Sequence, residues 1–304
     1  RNGRFNTFLT YSSNYNESFI KIYALREYFN AQDQVDAGLD QLWTLINSSF
    51  NNTLKTGLDY SISDKTTLGF ALTGITSPRK GRGTAYANWE NPQGMVDSTI
   101  ETNSTSKARF KTGGLNLYAK HSFSKKQQLS VDFDWLSYNI NNEQFFNNTL
   151  VANGGYNEGT RGFLPSTLEI SSLKIDHSLQ IGENGKLETG YKNSHINTDN
   201  TADYQNGNGG IWKQDYGKTN RFLYAENIHA LYSSYEQKMD RFSLQLGLRY
   251  ESTNYDANQL GNIERADSAF SRQYIGFFPS GYLSYQLSHA KQSGRILLRH
   301  ATLA

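Results

Sequence analysis

The chain has 304 residues, of which 37% are hydrophobic and 13% aromatic, with 20 Tyr, 26 Gly, 4 Pro and no Cys. This composition is that of a folded chain rather than a disordered one, and a formal net charge of +2 gives no case for binding nucleic acid. Without Cys there are neither disulfides nor thiolate metal sites, which is compatible with transit through an oxidising periplasm. No stretch approaches the roughly 20 consecutive apolar residues of a transmembrane helix. A mean hydropathy of −0.67 still permits a membrane crossing by strands, which need apolar residues only at alternate positions.

Taken in chain order, a period of two predicts twelve strands, over about 4–11, 18–29, 46–62, 66–77, 107–123, 127–142, 166–181, 185–199, 221–237, 241–256, 274–288 and 293–304. Segment 30–46 places Leu39, Leu42, Trp43 and Ile46 at near-helical spacing, so it is either a short helix in a loop or an extension of a strand. In 46–62, Leu54, Leu58, Tyr60 and Ile62 alternate with Lys55, Gly57, Asp59 and Ser61. In 127–142, Leu129, Val131, Phe133 and Trp135 oppose Ser130, Asp132 and Asp134, and in 166–181 Leu173, Ile175, Leu179 and Ile181 oppose Lys174, Asp176, Ser178 and Gln180. The clearest run sets Phe242, Leu244, Leu246, Leu248 and Tyr250 against Ser243, Gln245, Gly247, Arg249 and Glu251. A Lys or Arg facing mid-bilayer costs about 2–4 kcal/mol, so the polar face is expected to line a watery lumen.

Between these strands, short turns at 63–66, 124–127, 182–186 and 238–241 alternate with expected long loops at 77–106, 142–165, 200–220 and 254–273. One short-turned face and one long-looped face are the mark of an antiparallel transmembrane β-barrel. Pro78, Pro92 and Pro165 are expected in the loops and Pro279 near the start of a strand, since Pro cannot donate to a ladder. Tyr60, Phe123, Tyr235, Tyr250 and Tyr285 fall near strand ends, where an amphipathic ring suits the headgroup level.

Several phrases, in order, resemble the barrel portion of TonB-dependent outer-membrane receptors, especially the outer-membrane protein β-barrel family common in Bacteroidota. They are Gly57-Leu-Asp-Tyr-Ser61, Leu173-Lys-Ile-Asp-His177, Leu187-Glu-Thr-Gly-Tyr-Lys192, Tyr224-Ala-Glu-Asn-Ile-His-Ala-Leu-Tyr232, Gly247-Leu-Arg-Tyr-Glu251, and Phe278-Pro-Ser280 leading into Tyr282-Leu-Ser-Tyr285. The resemblance implies a large barrel of the 22-stranded plugged type, in the bacterial outer membrane, that imports a scarce ligand with energy delivered by the TonB complex. The chain starts at Arg1 and stops at Ala304 without a closing aromatic strand. We therefore expect 1–304 to be a partial barrel domain, without the plug that meets TonB and without the closing strands.

Site chemistry is sparse. His121, His177, His195, His229, His289 and His300 occur singly, without zinc-ligand spacing, so no metal and no cofactor are expected. Asp132 and Asp134 could imitate a catalytic pair but read as lumen-lining charge, and no nucleophile motif, P-loop or dinucleotide fingerprint is present. No catalytic residue is assigned. The Asn-x-Ser/Thr sequons, such as Asn103-Ser-Thr105, arise by chance in a chain this rich in Asn, Ser and Thr. Arg79-Lys-Gly-Arg82 is a basic stretch that suits either plain solvent or lipopolysaccharide phosphates.

The candidate ligand contacts are the loop aromatics Trp89, Tyr204, Trp212 and Tyr216, set among Asn, Gly and Gln. Flat rings beside amides suit an oligosaccharide, a peptide or a siderophore-like ligand, although the same residues also pack long loops on themselves. Two functions remain open at this point: a non-enzymatic receptor for TonB-dependent nutrient uptake, and a structural or adhesive outer-membrane barrel that binds a surface partner. Both place the protein against outer-membrane lipid and lipopolysaccharide.

Overall fold

The computed structural model describes residues 3–152, 154–208, 210–286 and 294–299. Their regular structure is all strand: β1 (Phe5–Phe29), β2 (Val35–Ser63), β3 (Thr66–Glu90), β4 (Val96–Ser124), β5 (Gln127–Val151), β6 (Asn157–Ile181), β7 (Gly185–Asn208), β8 (Ile211–Gln214), β9 (Asn220–Met239), β10 (Phe242–Leu260), β11 (Ser268–Tyr285) and β12 (Gly294–Arg299). They form one antiparallel meander in the order β1-β2-β3-β4-β5-β6-β7-β9-β10-β11-β12, with the short β8 paired to β7 off this path. Every long strand therefore lies beside its neighbour in sequence. Among the described residues β1 and β12 do not pair with each other, so the sheet is open.

The strands are far longer than the sequence pattern suggests. The two predicted strands at 4–11 and 18–29 are one, β1, and segment 30–46 is not helical: a turn at 30–34 leads straight into β2. The four expected long loops are mostly ladder. β3 runs through Glu90 to a turn at 91–95 and β5 through Val151, beyond which Gly155 N donates to Ala152 O, while β10 reaches Leu260 before a loop at 261–267. Both ends of the sheet thus carry short connections, and the asymmetry lies in how far the strands continue. A 25-residue strand such as β5 spans about 80 Å, whereas a tilted crossing takes about 9–11 residues.

The prolines correct the expectation in the same way. Pro78 and Pro165 sit within β3 and β6, Pro279 sits well inside β11, and only Pro92 occupies a turn. At two of these sites the ladder lapses on one side. Pairing of β2 with β3 skips from Ser49↔Arg79 to Asn52↔Thr76, and pairing of β6 with β7 skips from Phe163↔Asp203 to Ser166↔Asn200. A missing N–H is thereby accommodated without ending the strand.

A single sheet has no interior, and the only buried hydrophobic side chains among the described residues are Leu39, Ala85, Ala230 and Ala257. Cohesion comes from the ladder and from cross-strand pairs. The registers carry one apolar face across the sheet: Leu58 opposes Phe70, Phe70 opposes Leu117, Leu117 opposes Phe133, and Phe133 opposes Leu173. On β10, Leu246 stands between Tyr235 and Gly281, and Tyr250 between Leu231 and Phe277. These side chains are open to the surroundings, with Leu246 54% and Leu231 58% exposed. An apolar band of this breadth is stable against hydrocarbon and not against water.

Aromatic rings border the band. Near the short turns Phe5 stacks on Tyr60 and Phe242 meets Tyr285, each with ring centroids 4.6 Å apart. At the other border Tyr250 lies 5.2 Å from Phe277. Beyond that border most strands continue with many polar residues on both faces, as at Asn147 to Thr149 of β5 and Asn197 to Asp203 of β7, whereas β1 stays apolar through the exposed Phe19, Ile20, Ile22 and Leu25.

Candidate functional site

The face opposite the apolar band is a polar wall built by recurring side-chain geometry. Asp59 on β2 opposes Gly69 on β3, which opposes Tyr118 on β4. The missing side chain at Gly69 lets the Tyr118 ring lie flat across β3, and its hydroxyl donates to Asp59 Oδ1 at 2.6 Å. Asn6 Nδ2 donates to the other carboxylate oxygen at 2.9 Å. The same arrangement recurs four strands away: Asp176 on β6 opposes Gly190 on β7, which opposes Tyr232 on β9. The Tyr232 hydroxyl donates to Asp176 Oδ1 at 2.5 Å. A Cβ at Gly69 would come within 2.3 Å of the Tyr118 ring, and one at Gly190 within 2.5 Å of the Tyr232 ring.

The ion pairs on this wall run along single strands. Lys174 pairs with Asp176 and Arg249 with Glu251, and the Arg249 guanidinium lies 5.6 Å from the centre of the Tyr232 ring. Asp132 and Asp134 share the polar face of β5; Asn116 Nδ2 donates to Asp134 at 2.7 Å, and Asp132 stands opposite Lys174. Asp134 thus has a neutral amide donor, and Asp132 has a cation in the opposing register. The arrangement can carry water and polar solutes along its surface.

The described histidines lie on the apolar-band face or its continuation, each with a polar neighbour. His121 Nδ1 is 2.8 Å from Thr66 Oγ1, His177 Nε2 is 3.0 Å from Gln127 Nε2, His229 Nδ1 is 2.7 Å from the Tyr191 hydroxyl, and His195 Nε2 is 3.0 Å from Asn197 Nδ2. Among the described residues no group of three or more His, Asp or Glu could hold a metal ion. His289 and His300 lie outside the described residues.

The four aromatic candidates do not converge. Trp89 is in β3 and stacks on Tyr28 at 5.6 Å on the polar-wall face. Tyr204 is in β7 on that same face, its ring covering Gly162 of the neighbouring strand. Trp212 is in β8 and points the other way: its ring covers Gly159 and Gly207, meets Phe145 edge-on at 6.1 Å and carries the Arg161 guanidinium at 4.4 Å. Tyr216 lies in the turn between β8 and β9, where its carbonyl accepts from Asn262 Nδ2 at 2.8 Å. These rings mainly pack the extended hairpins on themselves. Sequence reasoning also missed a depression of about 390 Å³ on the outward face, lined by Lys107, Glu143, Phe145, Arg161, Phe163 and Gln205. Its residues come from four strands, and only the ladder registers bring them together.

The turn after β8 is closely organised. Asp215 accepts from Asn206 Nδ2 at 2.8 Å and pairs with Lys218 Nζ at 3.0 Å, and Lys218 holds the Asp215 carboxyl below the usual carboxylate range. Nearby, Arg221 grips Asp199 through Nε at 2.9 Å and Nη2 at 2.6 Å and lowers that carboxyl as well.

Comparison with known proteins gives one family match: the model of the outer membrane protein beta-barrel family fits residues 121–297. No curated protein matches the chain. Solved structures with a similar course include the outer membrane protease OmpT from Escherichia coli, at 9% identity and a TM-score of 0.30, covering 93% of this chain and 96% of that one. They also include the siderophore receptor PiuA from Acinetobacter baumannii, at 10% identity and a TM-score of 0.46. That match covers 95% of this chain but 48% of the receptor, so this chain spans about half the receptor's length.

Proposed function

The chain belongs to the outer membrane protein beta-barrel family, and we propose that its sheet is part of the wall of a large receptor barrel that takes up a nutrient ligand with TonB-supplied energy. One observation carries this reading. The lipid-facing band continues to the edge strand, where Phe5, Leu9 and Tyr11 of β1 are exposed, yet that edge has no partner among the described residues. Hydrocarbon cannot satisfy the open backbone groups of a strand, at a cost of several kcal/mol each. The edges are therefore to be completed by further strands, and a wider barrel leaves room for a plug and a ligand path.

The polar wall supports the same reading, because a ligand path needs a hydrated lining, and the strand extensions provide a tall outer vestibule. In this reading energy coupling resides in a plug that meets the TonB complex, and the wall performs no covalent chemistry. The ligand is an oligosaccharide, a peptide or a siderophore-like compound, for which Trp89 and Tyr204, both on the inward face, remain contact candidates.

The test is uptake by cells carrying or lacking the full protein, with maltoheptaose, a pentapeptide and a ferric catecholate siderophore as labelled probes. We expect at least one probe to accumulate only in cells that have the protein, and only while the proton-motive force is intact. Equal accumulation of every probe without the protein, or uptake that survives a protonophore, would overturn the reading in favour of a structural or adhesive barrel.

A further inference from the structure

The basic stretch at 79–82 divides between the two faces, and its outward half joins a second set of cations. Arg79 turns to the polar wall, with its guanidinium 6.0 Å from the Phe110 ring and its Nε donating to Ser77 Oγ at 3.2 Å. Lys80 and Arg82 share the outward face with Lys107, Arg109 and Lys111 of β4. The registers set Lys80 opposite Lys107, Arg82 opposite Thr105, Pro78 opposite Arg109, and Thr76 opposite Lys111. All five cations are exposed. None belongs to an ion pair among the described residues.

Such a patch is costly in isolation, because like charges directly opposite on a sheet destabilise it. The carboxylate in the adjoining register on this face is Glu143, opposite Lys107, and it leaves most of the positive charge uncompensated. Below Lys111 and Thr76 the same face becomes Gly74 and Gly113, then Leu72 and Leu115, then Phe70 and Leu117. Cations thus stand directly above the apolar band, at the border where a lipid's acyl chains end and its headgroup begins. They lie on the side of the long strand extensions, which is the extracellular side in outer-membrane barrels.

We propose that Lys80, Arg82, Lys107, Arg109 and Lys111 form a binding surface for the phosphate groups of an outer-leaflet glycolipid of the lipid A type. The acyl chains lie along Leu72, Leu115, Phe70 and Leu117, and the phosphates bridge β3 and β4, relieving the repulsion between Lys80 and Lys107. The site depends on the membrane orientation of the sheet and not on which ligand the barrel transports.

The test uses the full protein extracted from outer membranes into detergent, with binding of diphosphoryl lipid A, dephosphorylated lipid A, phosphatidylglycerol and inorganic phosphate measured in parallel. Diphosphoryl lipid A should bind tightest, and dephosphorylated lipid A and inorganic phosphate weakly, since each lacks one half of the recognition. The variant Lys80→Gln/Lys107→Gln/Arg109→Gln should lose roughly a hundredfold in affinity, about fivefold per cation at an anionic surface. The lumen-side control Lys55→Gln/Lys120→Gln should leave affinity unchanged. Equal binding of dephosphorylated and diphosphoryl lipid A by the unmodified protein would overturn the proposal without any variant. So would equal competition by phosphatidylglycerol, or undiminished binding by the triple variant.

Discussion

At the scale of single residues, the alternation between faces makes opposite demands on adjacent positions. Leu246 lies in the band at 54% exposure, and Gln245 beside it points to the polar wall. Leu246→Arg should cost about 2–4 kcal/mol on folding into vesicles, and Gln245→Arg should cost little. Equal tolerance of the two would show that the faces are wrongly assigned. The tyrosine bridges give a second contrast. Gly190→Val puts a branched side chain where the Tyr232 ring lies, displaces the bond to Asp176, and should cost about 1–3 kcal/mol in urea unfolding. Tyr118→Phe keeps its ring over Gly69 and loses only the bond to Asp59, with an expected cost of about 1–3 kcal/mol for a hydrogen bond to a charged group. A Gly190→Val protein that unfolds like the unmodified one would remove the packing role claimed for the glycine.

A third residue-scale expectation concerns pH. Because Lys218 and Asn206 depress the Asp215 carboxyl, its contribution to the β8–β9 turn is complete above the ordinary Asp value of about 3.9 and is lost as pH falls through the lower folded value. Amides at 215–219 should lose hydrogen-exchange protection over that acid range. In Asp215→Asn they should be less protected at neutral pH and insensitive to the same drop. Unchanged protection across the range would rule out the carboxylate as the organiser of the turn.

At the scale of elements, the membrane-spanning half of most strands was legible and much of the outer half was not, for one physical reason; β1, whose outer part 18–29 already read as strand, is the exception. Within the band one face must be apolar, so Leu129 to Trp135 and Phe242 to Tyr250 alternate plainly. Above it neither face meets lipid, so segments such as Asn147 to Thr149 and Asn200 to Asn206 carry polar residues on both sides and read as loop although the ladder continues. The true turns reveal themselves by local chemistry instead. Asn30 and Asn91 each accept from the backbone two and four residues on, at Gln32 and Gln34 and at Gln93 and Met95, and each turn closes through a residue of positive φ, Asp33 or Gly94. The repeated Asn-led pentapeptide was the available signal. The aromatic candidates were legible as residues but not as a site, because the face of Trp212 depends on a β8 hairpin that the sequence pattern did not disclose.

Protease added to intact cells should therefore cut at 30–34, 91–95, 152–156 and 215–219, where the long hairpins end. It should spare 77–90 and 96–106, which an exposed loop would surrender. It should also spare the periplasmic turns at 64–65 and 182–184. Cleavage spread evenly through 77–106 would restore the loop and contradict the extended hairpin.

At the scale of the whole molecule, the protein is a sheet whose two faces suit lipid and water and whose edges, among the described residues, do not meet. A meander of this kind can end in two ways. Closing β1 onto β12 makes a narrow barrel filled by its own side chains, while adding strands to both edges makes a wide one with a lumen. The described chain has no cysteine, so two can be introduced and spin-labelled without background from these residues. Leu9→Cys on β1 and Leu283→Cys on β11 both lie in the lipid-facing band, at exposed positions where a label disturbs little. The decisive measurement is the distance between the two labels in the full protein in outer membranes. A wall within a larger barrel predicts a separation several times the roughly 10 Å that spans two inter-strand spacings, whereas a distance near that value would mean that β1 and β12 close on each other and would contradict the account.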